Sequence, residues 1–283
     1  MSEIRQWNIS SVLDPKAPRN TPYALILLNT PISEKHAIVF YRVWQQAAIR
    51  IVADGAANML LEFMDAHKDK LFKMPDLICG DLDSISDHAR SYFEERHVHI
   101  QRLASQYSTD LQKSIQHLEL EEDTSSLQYD LVIFGGLTGR LDQTMHTLHV
   151  LWQLAPGVPV DDIITSHDTS TDENKDGRLR KRPHTVVLSD TCATCLLGPG
   201  KHVLQHNRSI VGKSCGILPL GVSSACIQSE GLEWNLESQK SSLGGFLSTS
   251  NHLAPDNLSG TVLIETDSPV YWTVELQVDT ELL

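Results

Sequence analysis

The sequence predicts an α/β N-terminal domain with a mainly parallel sheet, followed by an all-β sandwich C-terminal domain. Three observations predict it. Short apolar runs alternate with stretches of helical period from Tyr23 to Trp152. A polar, charged segment at 156–183 then breaks the alternation. Beyond Cys195, closely spaced glycines punctuate short runs rich in Val, Ile, Leu and Thr, and no helical period persists. The 283 residues are long for one compact domain, and 41% hydrophobic residues suffice for two cores.

Residues 1–20 are polar, carry Pro15 and Pro18, and read as an irregular arm. The run 23–29 (YALILLN), bounded by prolines, reads as a buried first strand. Ser33 and Glu34 open a helical pattern with Val39, Val43 and Ala47 on one face. A second strand at 49–53 runs into Asp54-Gly55, and a helix with Leu60, Leu61 and Met64 inward follows. Leu77 to Cys79 form a third strand, and 86–95 the next helix. Ser108 or Thr109 suits an N-cap for a helix burying Leu111, Ile115 and Leu118. The strand at 130–134 breaks at Gly135-Gly136, and Leu141, Met145, Leu148 and Trp152 mark the helix after it. The segment 156–183, including its basic end at 178–182, reads as an exposed, flexible insertion before a strand at 184–188.

A formal charge of −13 argues against nucleic acid or an anionic membrane as partner, since both need basic patches. It leaves room for a polyphosphate brought in with magnesium. No run approaches the ~18 apolar residues of a membrane span, and the N-terminus has no secretory core. A cytoplasmic protein fits. The five cysteines, with a single CxxC at Cys192 and Cys195, do not make a zinc ribbon.

The chemistry concentrates in four loops that follow strands. They hold Asp54-Gly55, Gly80-Asp81-Leu82-Asp83-Ser84, Thr109-Asp110, and the stretch 135–143 with Gly135, Gly136, Gly139, Arg140, Asp142 and Gln143. In a parallel sheet the carboxyl ends of the strands share one edge, so these loops converge where such folds bind ligands. Asp81 and Asp83 either cap backbone amides in a turn or, with Asp110, offer hard oxygens to a divalent cation. The glycines permit close approach of a phosphate to a helix N-terminus, and Arg140 adds a fork of donors. ATP with its metal would satisfy these groups together. Gly212-Lys213-Ser214 ends like a P-loop but has Asn207 where the earlier glycine belongs. The histidine pairs His97/His99 and His146/His149 read as surface or core residues. Trp234 suits either a core or a surface on which a flat ring stacks.

Together the stretches ADGAAN, GDLDS, STD, FGGLTGRLDQ, LLGPGKH, GILPLG, GLEWNL, LSTSN and ETDSPVYWTVEL resemble thiamine pyrophosphokinases of the eukaryotic kind, in order and spacing across both domains. The resemblance implies a catalytic α/β domain at 1–194, a thiamine-binding sandwich at 195–283, and a homodimer with ATP and thiamine bound between subunits. It implies transfer of pyrophosphate from ATP to the thiamine hydroxyl, giving thiamine diphosphate and AMP. Asp81, Asp83 and Asp110 would then hold magnesium, and Arg140 would stabilise charge on the phosphates. Asp142 would ligate a second metal or orient the hydroxyl. Asp54, Asn58, Thr109, Gly135, Gly136, Gly139 and Gln143 would line the ATP site. Gln106, Trp234, Ser250 and Asn251 would contact thiamine. In one departure, Tyr107 stands where many relatives have a further acid, and the insertion has no counterpart. A non-catalytic thiamine or nucleotide sensor on the same fold is the alternative, although a pure binder has no need of the full acidic set.

Overall fold

The computed structural model describes residues 4–14, 21–34, 37–104, 108–160 and 179–277. At its centre lies β2 (Tyr23–Leu27), buried at all five positions. It is flanked in parallel by β3 (Ile49–Ala53) on one side and β6 (Asp130–Phe134) on the other. Outward from these come β4 (Leu77–Gly80) with β5 (His99–Arg102), and β7 (Thr185–Leu188), giving the order β7-β6-β2-β3-β4-β5. Continuous apolar runs such as YALIL suit strands covered on both faces.

Alternate side chains of each strand enter different cores. Leu25, Leu27, Val52 and Ile78 pack under α1 (Ala37–Gln46), α2 (Ala56–Ala66) and α3 (Asp87–Glu94) through Phe40, Trp44, Leu60 and Phe93. Ala24, Ile26, Ile51 and Ile133 pack under α4 (Asp110–Ser125) and α5 (Leu141–Leu154) through Leu111, Ile115, Leu118 and Leu151. Each fully buried Leu, Ile or Phe contributes ~1.5–3 kcal/mol, so these layers fix the sheet edge on which the loops sit. The helix after β2 lies on one face and the helix after β6 on the other. The adjacent carboxyl ends of β2 and β6 are therefore a topological switch point.

The sheet does not stop at β7. A tight turn, in which the Ser189 hydroxyl oxygen accepts from the amides of Thr191 and Cys192 at 3.1 and 3.0 Å, reverses the chain into β8 (Cys192–Leu197). Antiparallel β15 (Val270–Leu276), β10 (Val211–Leu218) and β13 (Ser248–His252) extend it to ten strands. A second sheet of five strands covers this extension, with β1 (Ile4–Asn8), β9 (Gly200–Gln205), β14 (Thr261–Thr266), β11 (Ala225–Glu230) and β12 (Gln239–Ser241) in that order. Leu204, Val262, Ile264 and Ile227 from the small sheet meet Trp272, Val274, Ile217 and Cys195 from the large one, which makes a sandwich. The expected division at 194/195 falls inside β8, so both halves are built on one sheet.

Three stretches differ from expectation. Residues 4–8 are a strand, paired in parallel with β9 and pinned where the Trp7 indole donates to His202 Nδ1 at 3.0 Å. As an edge strand with only Trp7 buried, it leaves little apolar pattern to read. The edge strand β5 escapes for the same reason. At the end of the expected insertion, Leu179 and Arg182 are buried, and Arg182 grips Glu122 of α4 through two 2.7 Å bonds. Arg182 there answers a charge on α4 away from water, while Arg180 pairs with Asp123 of α4 at the surface. The bulk of the insertion, 161–178, lies outside the described residues.

Candidate active site

Asp54 follows β3, Asp81 follows β4, and Asp110 opens α4, so the three acids stand on neighbouring strand ends. Their carboxylate oxygens lie within 4.8 Å of one another. Asp54 is only 2% exposed and sits at positive φ, 38°. It accepts from the amides of Ser84 and Ile85 at 3.2 and 3.1 Å. Burial pushes its carboxyl up to about 6, against the lowering effect of those amides, and the charges of Asp110 and Asp81 add to the rise. Gly80 is required here: a Cβ at that position would lie 2.7 Å from Asp54 Cβ and 3.1 Å from Asp110 Oδ1.

Lys113, one turn into α4 and 5% exposed at its side chain, donates to Asp110 Oδ1 at 3.1 Å. It offsets part of the negative charge that three clustered carboxylates would otherwise impose on one another. The helix bearing Asp110 and Lys113 begins in a capping box. Thr109 Oγ1 accepts from Gln112 N, and Gln112 Oε1 accepts from Thr109 N at 3.1 Å. Thr109 Oγ1 also meets His146 Nε2 of α5 at 2.7 Å. A cleft of about 800 Å³ joins these groups to the switch point, where Leu28, Asn29 and Thr30 face Gly136, Thr138, Gly139, Arg140 and Gln143.

Of the residues expected to converge, Asp54, Asp81, Thr109, Asp110, Gly136, Gly139, Arg140 and Gln143 line this cleft. Asp54, expected at the phosphates, belongs to the carboxylate cluster. Asp83, expected in that cluster, lies outside the trio of oxygens, exposed, with Oδ1 accepting from the Ser84 hydroxyl at 2.7 Å. That hydrogen bond holds its carboxyl below the usual range. Asn58 has its amide committed to the loop, donating to Ser84 O at 2.8 Å and accepting from Ser86 N at 2.9 Å. It braces the acidic turn from beneath.

The glycine loop is likewise partly committed. Gly135 N donates to Leu188 O at 2.8 Å and Gly136 N to Thr30 Oγ1 at 3.3 Å, both at positive φ that a side chain would strain. Gly139 has open space around it. Arg140, 74% exposed at its side chain, lines the cleft and forms a two-pronged ion pair with Asp142. Lys113, His146 and Thr30 were not read from the sequence as site residues. Lys113 stands three positions after Asp110, the spacing at which a helix pairs charges, and that was the one available signal.

The thiamine-contact candidates lie elsewhere. Trp234 is 54% exposed, so it is not a core residue. It lines a hollow of about 570 Å³ with Phe246, Leu247 and Asn251. Asn251 is buried and holds the tryptophan's backbone, donating to Trp234 O at 2.8 Å and accepting from its N–H at 3.3 Å. Ser250, at φ 57°, lines a separate hollow of about 320 Å³ beside Cys215 and Glu275. Gln106 and Tyr107 lie outside the described residues. Gly212-Lys213-Ser214 is part of β10, with Glu275 packed on Gly212, and cradles no phosphate.

A family model for the thiamin pyrophosphokinase catalytic domain matches residues 40–160, and one for its vitamin B1 binding domain matches 201–271. Among curated proteins, thiamine pyrophosphokinase 1 of Oryza sativa subsp. japonica is 30% identical over 274 residues, covering 93% of this chain and 90% of that protein. Thiamine pyrophosphokinase 3 of the same plant is 31% identical, covering 90% and 87%. Among solved structures, yeast thiamin pyrophosphokinase has a TM-score of 0.75 at 23% identity, covering 99% of this chain and 93% of its own. The enzyme from Candida albicans has a TM-score of 0.72 at 21% identity, covering 97% and 93%. The two structures share the fold, and the two sequence models match a domain in each half. The chain belongs to the thiamine pyrophosphokinase family.

Proposed function

We infer that the chain is a thiamine pyrophosphokinase, and propose that it takes the pyrophosphoryl group from ATP and passes it to the thiamine hydroxyl, leaving AMP. The observation that carries this is the meeting of Asp54, Asp81, Asp110 and Lys113 with the glycine loop at the switch point, within one cleft. Such transfers need reactants held in line and charge neutralised more than they need covalent help.

The donor set fits magnesium. Three carboxylates offer hard oxygens within 4.8 Å, close to the ~4.2 Å that separates ligands on opposite sides of that ion. A buried Asp54 beside two like charges is the environment a divalent cation relieves. When bound, magnesium supplies neutralisation of polyphosphate charge. Asp54, Asp81 and Asp110 would hold it, with the Asp83 carboxylate adding negative charge on the same loop as Asp81.

The chain's own groups do the rest. Lys113 can leave Asp110 for a phosphate oxygen, and Arg140 can leave Asp142, because that pair is exposed and therefore weak. The amino end of α5 beside Gly139 favours an anion. Asp142 stays available to orient the hydroxyl, and Asp110 is the candidate to accept its proton. Trp234 would stack on thiamine. Its hollow shares no lining residue with the cleft, which fits sites completed by a second copy in a homodimer. The reaction would run in the cytoplasm. AMP release from ATP plus thiamine by wild type and by Asp81→Asn tests the assignment. Loss of ~10²-fold or more in the variant is expected, and full activity would overturn it.

A further inference from the structure

Trp234 is an exposed side chain on an immobilised backbone. Its N–H and C=O are both taken by the buried Asn251, and Glu233 N donates to His252 O at 2.8 Å. The indole therefore leaves a rigid loop, but nothing in that backbone fixes its rotamer. Among the described residues, the ring the indole meets is that of His252. Its imidazole lies 5.0 Å from the indole, centroid to centroid, tilted 45°. The imidazole is held in turn, with Nδ1 meeting Glu233 Oε2 at 2.8 Å. Glu233 and Trp234 are adjacent in sequence, and His252 reaches them from β13, so the three side chains close a small ring of contacts.

We propose that Glu233 and His252 are positioning residues that set Trp234 as a stacking platform for a flat, cationic ring. The proposal rests on the function inferred above, with thiamine as that ring. Its physical basis is preorganisation. An unsupported indole must be immobilised by its ligand, whereas one already packed on a tethered imidazole is not. The Glu233 carboxylate also keeps negative charge beside the platform, which favours a cation over a neutral ring of the same shape.

The test uses the whole protein with magnesium, a non-hydrolysable ATP analogue and thiamine as titrant in a calorimeter, beside steady-state kinetics. His252→Ala should weaken thiamine binding and raise its KM by roughly three- to tenfold, leaving kcat and the KM for ATP within about twofold. His252→Phe, which restores a ring without the hydrogen bond, should recover most of the affinity. Glu233→Gln should give an intermediate loss. Adding it to His252→Ala should cost less than it does in the wild type, because the tether acts through the imidazole and only the charge beside the platform remains to be lost. Unchanged thiamine affinity in a folded His252→Ala overturns the proposal. So does an equal fall in kcat, ATP affinity and melting temperature, which marks a role in loop folding only. A wild type that neither binds thiamine nor releases AMP overturns the enzyme assignment along with it. A wild type that does both beside an unaffected His252→Ala overturns the platform alone.

Discussion

Asp54 carries an unusual burden for a single residue, being almost fully buried among acids and pushed up to about 6 from an ordinary 3.8. Between those two values the folded chain holds a proton that the unfolded chain has lost. Stability without metal should therefore be greatest below pH 4 as far as this group is concerned, and should fall as pH rises through 6. The full effect is on the order of 2–3 kcal/mol. Urea midpoints measured in chelator across pH 4–7 should show this decline, and Asp54→Asn should flatten it. Gly80 is the second residue on which the cluster depends, since a methyl there would press on both Asp54 and Asp110. Gly80→Ala should lose ~1–3 kcal/mol of stability, the usual result of overpacking. It should also raise the magnesium concentration needed for half-maximal AMP release, a titration that a distant destabilising change would not alter.

At the scale of elements, α4 links the site to the rest of the fold. Its amino end presents Asp110 and Lys113 to the cleft, and its capping box holds that end in place. Its carboxyl half is gripped from 179–182, with Arg182 bound to Glu122, Arg180 to Asp123, and the Arg180 amide to Glu119 Oε1 at 2.7 Å. The Arg182–Glu122 pair is buried on both sides. Removing one partner leaves a charge without water or counter-ion. Arg182→Ala should accordingly cost ~3–5 kcal/mol in denaturant unfolding. Arg180→Ala, whose pair is exposed, should cost under ~1 kcal/mol. The contrast separates Arg182, a structural arginine, from Arg180, a surface one.

For the whole molecule, the ten-stranded sheet makes the catalytic and the β-rich halves one body. Ligand binding at one end of it should therefore stabilise the whole. Magnesium at about a hundred times its dissociation constant should add ~2.7 kcal/mol, seen as one cooperative upward shift in melting temperature at pH 8. Two separate transitions, with only one responding, would contradict a shared body. Asp81→Asn should respond little. Among the described residues no helix is long and apolar enough to cross a membrane.

Apart from the edge strand β5, the order of strands and helices from Tyr23 to Leu188 was legible because each element has its own period and each strand end its own break. The buried runs YALIL, LICG and DLVIF, the Thr109 cap and the glycines at 135 and 136 are local signals, and the rule that parallel strand ends share an edge made them converge. What local pattern could not carry was decided by partners distant in the chain. The strand at 4–8 exists because β9 offers an edge, and Arg182 is buried because Glu122 awaits it. Asp54 joins the carboxylates, while Asp83, two residues from Asp81, stays exposed beside the trio and accepts from Ser84. Residue type and spacing placed acids and glycines on the loops of one sheet edge and left Trp234 open between a core and a stacking surface. Only the tertiary structure decided which acids meet, that Lys113 stands among them, and that His252 props Trp234. Those outcomes depend on angles and depths of packing that sequence neighbours do not set.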